Sequence, residues 1–218
     1  MKRGILYICL ILVTCPGPVN GQLIDGLGLK AGVSLSNQTI RFTPIEYTME
    51  TDPILEPAAA LFLEAFRGRS FSMQADFAYI TRGNTTTTRS VTVNHLDQDR
   101  ITENKGDPVT SKFRYLSITP MIRARTELEN IIPYALVGPR IDVHLSYSTD
   151  SDYPLEQINH LIVGLSFGIG IEYRLDRTGL FLEVQYQPDL SPVTNREPLL
   201  VNNNSLFIAA GIRRSNFR

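Results

Sequence analysis

His144 and Ser146, separated by a single residue, are of the types found together in hydrolytic sites. A histidine beside a serine can accept the hydroxyl proton and make the serine a nucleophile, and Glu156 could orient that histidine. On a strand, residues two apart share a face, so both side chains would point the same way. The competing interpretation is a buried histidine that pairs with Asp142 or its neighbours. The pattern alone allows both.

Charged residues recur at alternate positions within apolar segments, which places them together on one face of each segment. Six are basic and five acidic, so opposite charges are available in nearly equal number. Buried charges are tolerated when they are paired. We predict an ion-pair network of Lys30, Glu64, Asp76, Arg123, Arg125, Arg140, Asp142, Glu172, Arg174, Glu183 and Arg213.

We predict no metal and no cofactor. His95 and His160 are too scattered around His144 in sequence to indicate a metal site. Gly168-x-Gly170 lies inside a predicted strand and is therefore not a phosphate-binding loop. The net charge of −1 gives no reason to expect a nucleic-acid partner.

The stretch 160–175, HLIVGLSFGIGIEYRL, shows which kind of element carries these residues. Its apolar residues fall at every second position, and the intervening positions hold glycine, serine or charge. A period of two indicates a strand with one apolar face, and three glycines disfavour a helix.

The same alternation defines eight predicted strands. In chain order they cover Leu27–Ser36, about Ala58–Phe66, Phe71 to about Arg82, about Arg114–Arg125, about Pro133–Ser148, His160–Leu175, Gly179–Gln187 and about Leu206–Arg214.

The connections alternate in length. Those after the second, fourth and sixth predicted strands are short, and those after the first, third, fifth and seventh are long and polar. The longest, Gly83–Ser111, contains a threonine-rich alternation that could continue two strands above a membrane. Short turns at one end and long loops at the other are the plan of outer-membrane barrels.

We therefore predict an all-β, eight-stranded, antiparallel up-and-down transmembrane β-barrel. The alternative is a soluble lipocalin-like barrel, whose interior is apolar and whose exterior is polar. Here one register holds the charge and the other is apolar, which is sensible when the outside solvent is lipid. An eight-stranded lumen is just wide enough for side chains to fill, so the paired charges should form a plug and not a pore.

Glycines and prolines within the predicted strands lead to two further expectations. We expect the inner-register glycines to make room for long arginines. Pro120 and Pro139 lie at similar distances from one short turn, so we expect them to face each other, with a shared bulge absorbing both.

The N-terminus predicts residues 1–21 as a cleaved signal peptide and residues 22–218 as the barrel domain. Lys2 and Arg3 precede an apolar run too short to span a bilayer, and small residues stand before the expected cut. Cys9 and Cys15 would both be removed, leaving no disulfide or cysteine metal site. The alternative reads Cys15 as the end of a lipoprotein box, which Thr14 fits poorly.

Four segments resemble the PorT-like outer-membrane β-barrel family, common in Bacteroidota: GLGLKAGVSLSN, YLSITPMI, PYALVGPRIDV and FGIGIEYRL. The resemblance covers about Leu27 to Arg214. It implies a barrel in the bacterial outer membrane, inserted by the outer-membrane assembly machinery. That machinery typically reads a terminal aromatic residue, whereas here Phe217 is followed by Arg218. Some relatives are linked to protein secretion.

We predict a non-enzymatic barrel with a structural, surface-recognition or secretion-accessory role. Its expected partners are outer-membrane lipid, the assembly machinery, and secretion components or surface ligands held by the long loops. One alternative is a lipid A-modifying hydrolase, because the H-x-S at His144 resembles an element of lipid A deacylases. Against it, parity sends both residues into the lumen, while a lipid arrives from outside. A small diffusion channel is the other alternative.

Overall fold

The computed structural model describes residues 24–42, 47–49, 51–94, 100–150, 158–194 and 199–215. The predicted signal peptide, His95, Glu156 and Phe217 lie outside these residues. In the described part of the chain, no helix is long and apolar enough to cross a membrane.

Nine strands make up the described structure. They are β1 (Ile24–Phe42), β2 (Tyr47–Met49), β3 (Asp52–Ala65), β4 (Phe71–Asn94), β5 (Arg100–Arg125), β6 (Ile131–Thr149), β7 (Leu161–Leu175), β8 (Thr178–Pro188) and β9 (Leu199–Ser215).

Eight of these strands form a closed ring. Each long strand pairs antiparallel with the next in sequence, and β1 closes the ring by pairing with β9 from Gly26↔Ser215 to Phe42↔Leu199. The three-residue β2, which the sequence did not predict, pairs with the C-terminal end of β1. The predicted eight-stranded, antiparallel up-and-down barrel is confirmed.

The two ends of the barrel differ. Short turns after β3, β5 and β7 lie at one end, here called the turn end, and the longer connections lie at the other, the loop end. Each short turn contains one non-glycine residue with positive φ: Phe66 (52°), Glu129 (53°) and Asp176 (49°). Single residues in this left-handed region reverse the chain tightly.

Strands β4 and β5 extend beyond their predicted bounds at about Arg82 and about Arg114, along the threonine-rich alternation that could continue them. Much of the segment expected as a polar loop after Gly83 is a two-stranded hairpin that pairs as far as Asn94↔Arg100. Threonine and valine are β-branched and favour extended backbone, which is consistent with the continuation of two strands that the threonine-rich alternation indicated.

The side chains of the ring alternate between two faces. In β8, for example, residues from Gly179 to Gln187 are buried and exposed in turn. The outer face carries large apolar side chains, such as Ile169 (68% exposed) and Leu182 (63% exposed). This apolar belt is the surface that a bilayer would cover.

Pro120 and Pro139 do face each other across β5 and β6, as expected. The ladder is interrupted between Ile118↔Ile141 and Ile122↔Val137, but the register is the same on both sides. The predicted bulge is therefore wrong. The guanidinium of Arg140, which follows Pro139, donates to the Leu165 carbonyl at 3.2 Å.

Several inner glycines make room for aromatic rings and others for a neighbouring backbone. A Cβ at Gly170 would lie 2.3 Å from the Tyr134 ring, and one at Gly211 would lie 2.4 Å from Phe181. Gly164, facing Arg140, fits the expectation about arginines. Sequence parity missed these inward aromatic residues because they alternate with equally apolar neighbours.

Candidate functional site

The inner face of the ring holds three layers of buried ion pairs. They are named lower, middle and upper, from the turn end to the loop end. The strands position them because every second residue of each strand points inward.

The lower layer contains two carboxylates and three guanidinium groups. Arg213 bridges both carboxylates, with Nη1 2.5 Å from Glu64 Oε2 and Nη2 2.6 Å from Glu172 Oε1. Arg123 Nη2 lies 2.6 Å from Glu172 Oε2, and Arg125 pairs with Glu64. Glu64 and Glu172 are fully buried, so their charges depend on these arginines.

The middle layer is centred on one ammonium group. Lys30 Nζ lies 2.5 Å from both Asp76 Oδ2 and Glu183 Oε1. Gln185 Nε2 donates to the same two carboxylates, at 3.1 Å and 2.8 Å, and Tyr134 donates its hydroxyl to Glu183 Oε2 at 3.0 Å. The lysine is thus paired with carboxylates on two other strands, β4 and β8, and Tyr134 of β6 supports one of them.

The upper layer pairs two arginines with two aspartates. Asp142 accepts from Arg82 and from Arg140 Nε, the latter at 2.8 Å, and Arg140 also pairs with Asp189. Asn203 Nδ2 donates to Asp189 Oδ2 at 3.0 Å. The interleaved contacts of the four charges couple β4, β6 and the start of the β8–β9 connection.

Apolar side chains fill the space around these layers. One cluster comprises Phe62, Met121, Tyr134, Leu136 and Phe181. A second lies at the loop end and includes Phe113, Tyr115, Ile162, Val193 and Val201. Arg123 stacks over the Tyr134 ring at 3.8 Å, a favourable cation–π distance.

The structure brings together ten of the eleven predicted network residues. Arg174 lies apart: its guanidinium points to Glu127 at the turn end, with the side chain 28% exposed. Arg82 and Asp189 were missed, although Arg82 lies in register with Asp76, and Asp189 with Glu183. Among the described residues, the buried charges then number six basic and six acidic, and each has an oppositely charged partner.

Glu127 contacts arginine side chains at the turn end. Its Oε1 lies 2.9 Å from Arg174 Nη2 and 3.0 Å from Arg67 Nη2. Burial opposes ionisation of Glu127, but the hydrogen bonds and charges of Arg174 and Arg67 outweigh it and lower the pKa of this carboxyl. Burial lowers the pKa of Arg67 to about 10, and the guanidinium stays charged at neutral pH.

His144 and Ser146 are separated by a register irregularity. The pairing of β5 with β6 shifts between Arg114↔Ser146 and Tyr115↔His144, which inserts one extra residue in β6. The His144 ring packs against Tyr115, with centroids 5.7 Å apart, whereas Ser146 Oγ accepts from Arg114 Nη1 at 3.3 Å. Arg114 and Tyr115 are neighbours on a strand and point to opposite faces. The expectation that His144 and Ser146 both enter the lumen is therefore wrong.

No metal-binding arrangement is found in the part of the chain that the structure describes: three or more His, Cys, Asp or Glu side chains nowhere converge as ligands. The histidine at 144 contacts Phe113, Tyr115 and His160 rings.

Comparison with solved structures finds several outer-membrane proteins. Pseudomonas aeruginosa OprG is 9% identical, covering 90% of this chain and 99% of its own, with a TM-score of 0.49. Neisserial surface protein A is 12% identical, covering 87% and 96%, with a TM-score of 0.49. The Escherichia coli outer-membrane protease OmpT is 8% identical, covering 88% and 96%, with a TM-score of 0.47. These identities are too low to transfer a role.

No curated protein sequence matches this chain significantly. A family model, the outer membrane protein beta-barrel domain, matches residues 25–195. That match covers most of the ring described above, from the start of β1 past the end of β8. The chain belongs to this family, and it is a small β-barrel protein of the bacterial outer membrane.

Proposed function

We propose that this barrel is a non-enzymatic surface-recognition protein that acts through the segments it presents outside the cell. The observation that carries the proposal is the β4–β5 hairpin. Pairing of β3 with β4 ends at Asp52↔Thr85, and pairing of β5 with β6 ends at Ser111↔Thr149, yet β4 and β5 stay paired to Asn94↔Arg100. The hairpin thus projects beyond its neighbours.

Projection at the loop end supports a role outside the cell, because outer-membrane barrels keep their short turns in the periplasm. Recognition residues are commonly found on segments that a rigid scaffold holds in place. A projecting two-stranded ribbon can also present its strand edges to a partner polypeptide. The layered ring below would supply the rigid scaffold.

The filled lumen argues against the channel alternative. Conduction needs a continuous aqueous path, and Lys30, Arg82 and Arg140 have completely buried side chains whose charges are paired. The separation of His144 from Ser146 argues against the hydrolase alternative. A nucleophile and its base must lie within hydrogen-bonding reach on the same side of the sheet.

Shortening the hairpin tests the proposal. Residues 86–109 would be replaced by Asn-Gly, a two-residue turn that closes antiparallel strands. The expected result is an intact, heat-modifiable barrel whose expressing cells lose adhesion to host or neighbouring cells. A control hairpin of the same length and composition with scrambled order should also lose binding. Unchanged adhesion in both variants would show that the hairpin takes no part in recognition and is only a polar surface segment.

The same cells test the two alternatives. Planar-bilayer recordings of the purified barrel should show no conductance steps, and lipid A mass spectra should be identical for wild type and His144→Ala. Stable conductance, or a lipid A change that requires His144, would replace the recognition proposal with the corresponding alternative.

The secretion-accessory version of the proposal rests on the PorT-like motifs in β1, β5, β6 and β7. It also makes the assembly machinery and secretion components the expected partners. Deletion of the gene should then change the profile of secreted proteins. A profile unchanged by deletion would leave surface recognition without a secretion role.

A further inference from the structure

A polar pocket of 270 Å³ lies near the loop end of β5 and β6. It is lined by Thr110, Lys112, Arg114, Ser148 and Asp150. Two cations and two hydroxyl groups thus converge on a space large enough for a phosphate group.

The pocket faces away from the lumen. Phe113 and Tyr115, which alternate with its two cations, are completely buried in the apolar cluster of the loop end. Neighbouring residues of a strand point to opposite faces. Lys112 and Arg114 therefore point to the outer surface of the barrel.

The pocket also lies at the border of the apolar belt. Leu116 follows Arg114 at the next outward position of β5 and is 41% exposed, and Leu145 on β6 is 52% exposed. In the ring, the loop end corresponds to the outer leaflet. Cations directly above apolar side chains match a lipid whose phosphorylated headgroup lies above its acyl chains.

We propose that this pocket binds the phosphate of an outer-leaflet lipid headgroup, of the lipopolysaccharide type. Arg114 donates one guanidinium hydrogen bond to Ser146 Oγ, and its other guanidinium N–H groups can donate to phosphate oxygens. Guanidinium–phosphate hydrogen bonds are charge-assisted and directional. Lys112 Nζ lies 2.6 Å from Glu56 Oε1, with its side chain 37% exposed, so one face of the ammonium group is open to a second anion.

Asp150 provides a second prediction because its carboxylate lines the same pocket. It would repel a phosphate, so its removal must have the opposite effect to removal of a cation. A general loss of stability would not produce opposite signs at neighbouring positions.

The test uses the full mature chain, refolded in mild detergent and titrated with purified lipopolysaccharide while binding is followed by native mass spectrometry. Wild type should retain the lipid. The double variant Lys112→Gln/Arg114→Gln should bind at least about tenfold more weakly, as expected for the loss of charge-assisted hydrogen bonds. Asp150→Asn should bind more tightly than wild type. The matched control is Arg69→Gln/Arg177→Gln, which removes two exposed cations at the turn end and should bind like wild type.

Two further arms identify the ligand. Lipopolysaccharide stripped of its phosphates should bind wild type and the double variant equally weakly, and inorganic phosphate alone should not reproduce the mass shift or protect the barrel from heat. Equal retention by wild type and the double variant would overturn the proposal. Inorganic phosphate that protects as well as the lipid would overturn its lipid part.

Discussion

The inner and outer faces of this barrel use the same strands to solve opposite problems. Inside, each buried charge has a specific partner of opposite charge, as Lys30 has in Asp76 and Glu183. Outside, side chains such as Ile169 have no specific partner and need only be apolar. The inner face therefore depends on pairs of residues, while the outer face depends on the character of each residue alone.

The largest expected effect comes from breaking one inner pair. Lys30→Met leaves the buried carboxylates of Asp76 and Glu183 without their cation, and removal of one partner from a buried ion pair costs about 3–5 kcal/mol. Urea unfolding of the barrel in lipid vesicles measures this loss. The triple variant Lys30→Met/Asp76→Asn/Glu183→Gln should recover most of the stability, because no uncompensated charge remains. A triple variant as unstable as the single one would contradict pairwise dependence.

The next effect comes from placing a charge on the outer face. Ile169→Arg puts a guanidinium group near the middle of β7, where it should cost about 2–4 kcal/mol at the bilayer midplane. The same unfolding assay applies, with Ile169→Leu as a control that should behave like wild type. Equal stability of the arginine and leucine variants would show that Ile169 does not face lipid.

A smaller effect separates the exposed ion pair from the buried ones. Arg174→Ala removes a contact with Glu127 at the turn end, and exposed pairs contribute about 0–1 kcal/mol. Arg213→Ala removes the buried guanidinium that bridges Glu64 and Glu172 in the lower layer, and it should cost several times more. Comparable losses for the two variants would place Arg174 in the lumen network after all.

The smallest effect is a pH dependence at the turn end. The pKa of Glu127 is lowered in the folded state, so its contribution is present above the ordinary value of 4.5 and is lost as pH falls through the lowered value. Wild type should exceed Glu127→Gln in stability near neutral pH, and the gap should close in acid. Unfolding curves of both proteins across this range check the sign, and a gap that widens in acid would contradict it.

Alternation in the sequence sufficed to predict the ring and ten network residues, because the side-chain period of a strand is two whatever lies nearby. The alternation gave wrong or missing residues where the strand contains an extra residue, where a strand ends, and where an inward side chain is apolar. The extra residue near Leu145 moved Ser146 to the face opposite His144. Asp189 lies beyond Pro188, where the strand signal ends, and joins the upper layer through Arg140. Inward rings such as Phe181 were missed because an apolar residue fits either face.

The most direct test of the two-faced barrel uses the absence of tryptophan from the sequence. A single Phe167→Trp reports on the outer face of β7, where Phe167 is 45% exposed, and Phe181→Trp or Phe207→Trp reports on the lumen. Each variant is refolded into bilayers with and without brominated acyl chains, which quench only tryptophan in contact with lipid. We predict strong quenching at position 167 and almost none at 181 and 207. Equal quenching at all three positions, or stronger quenching at 181 and 207, would contradict the assignment of the two faces.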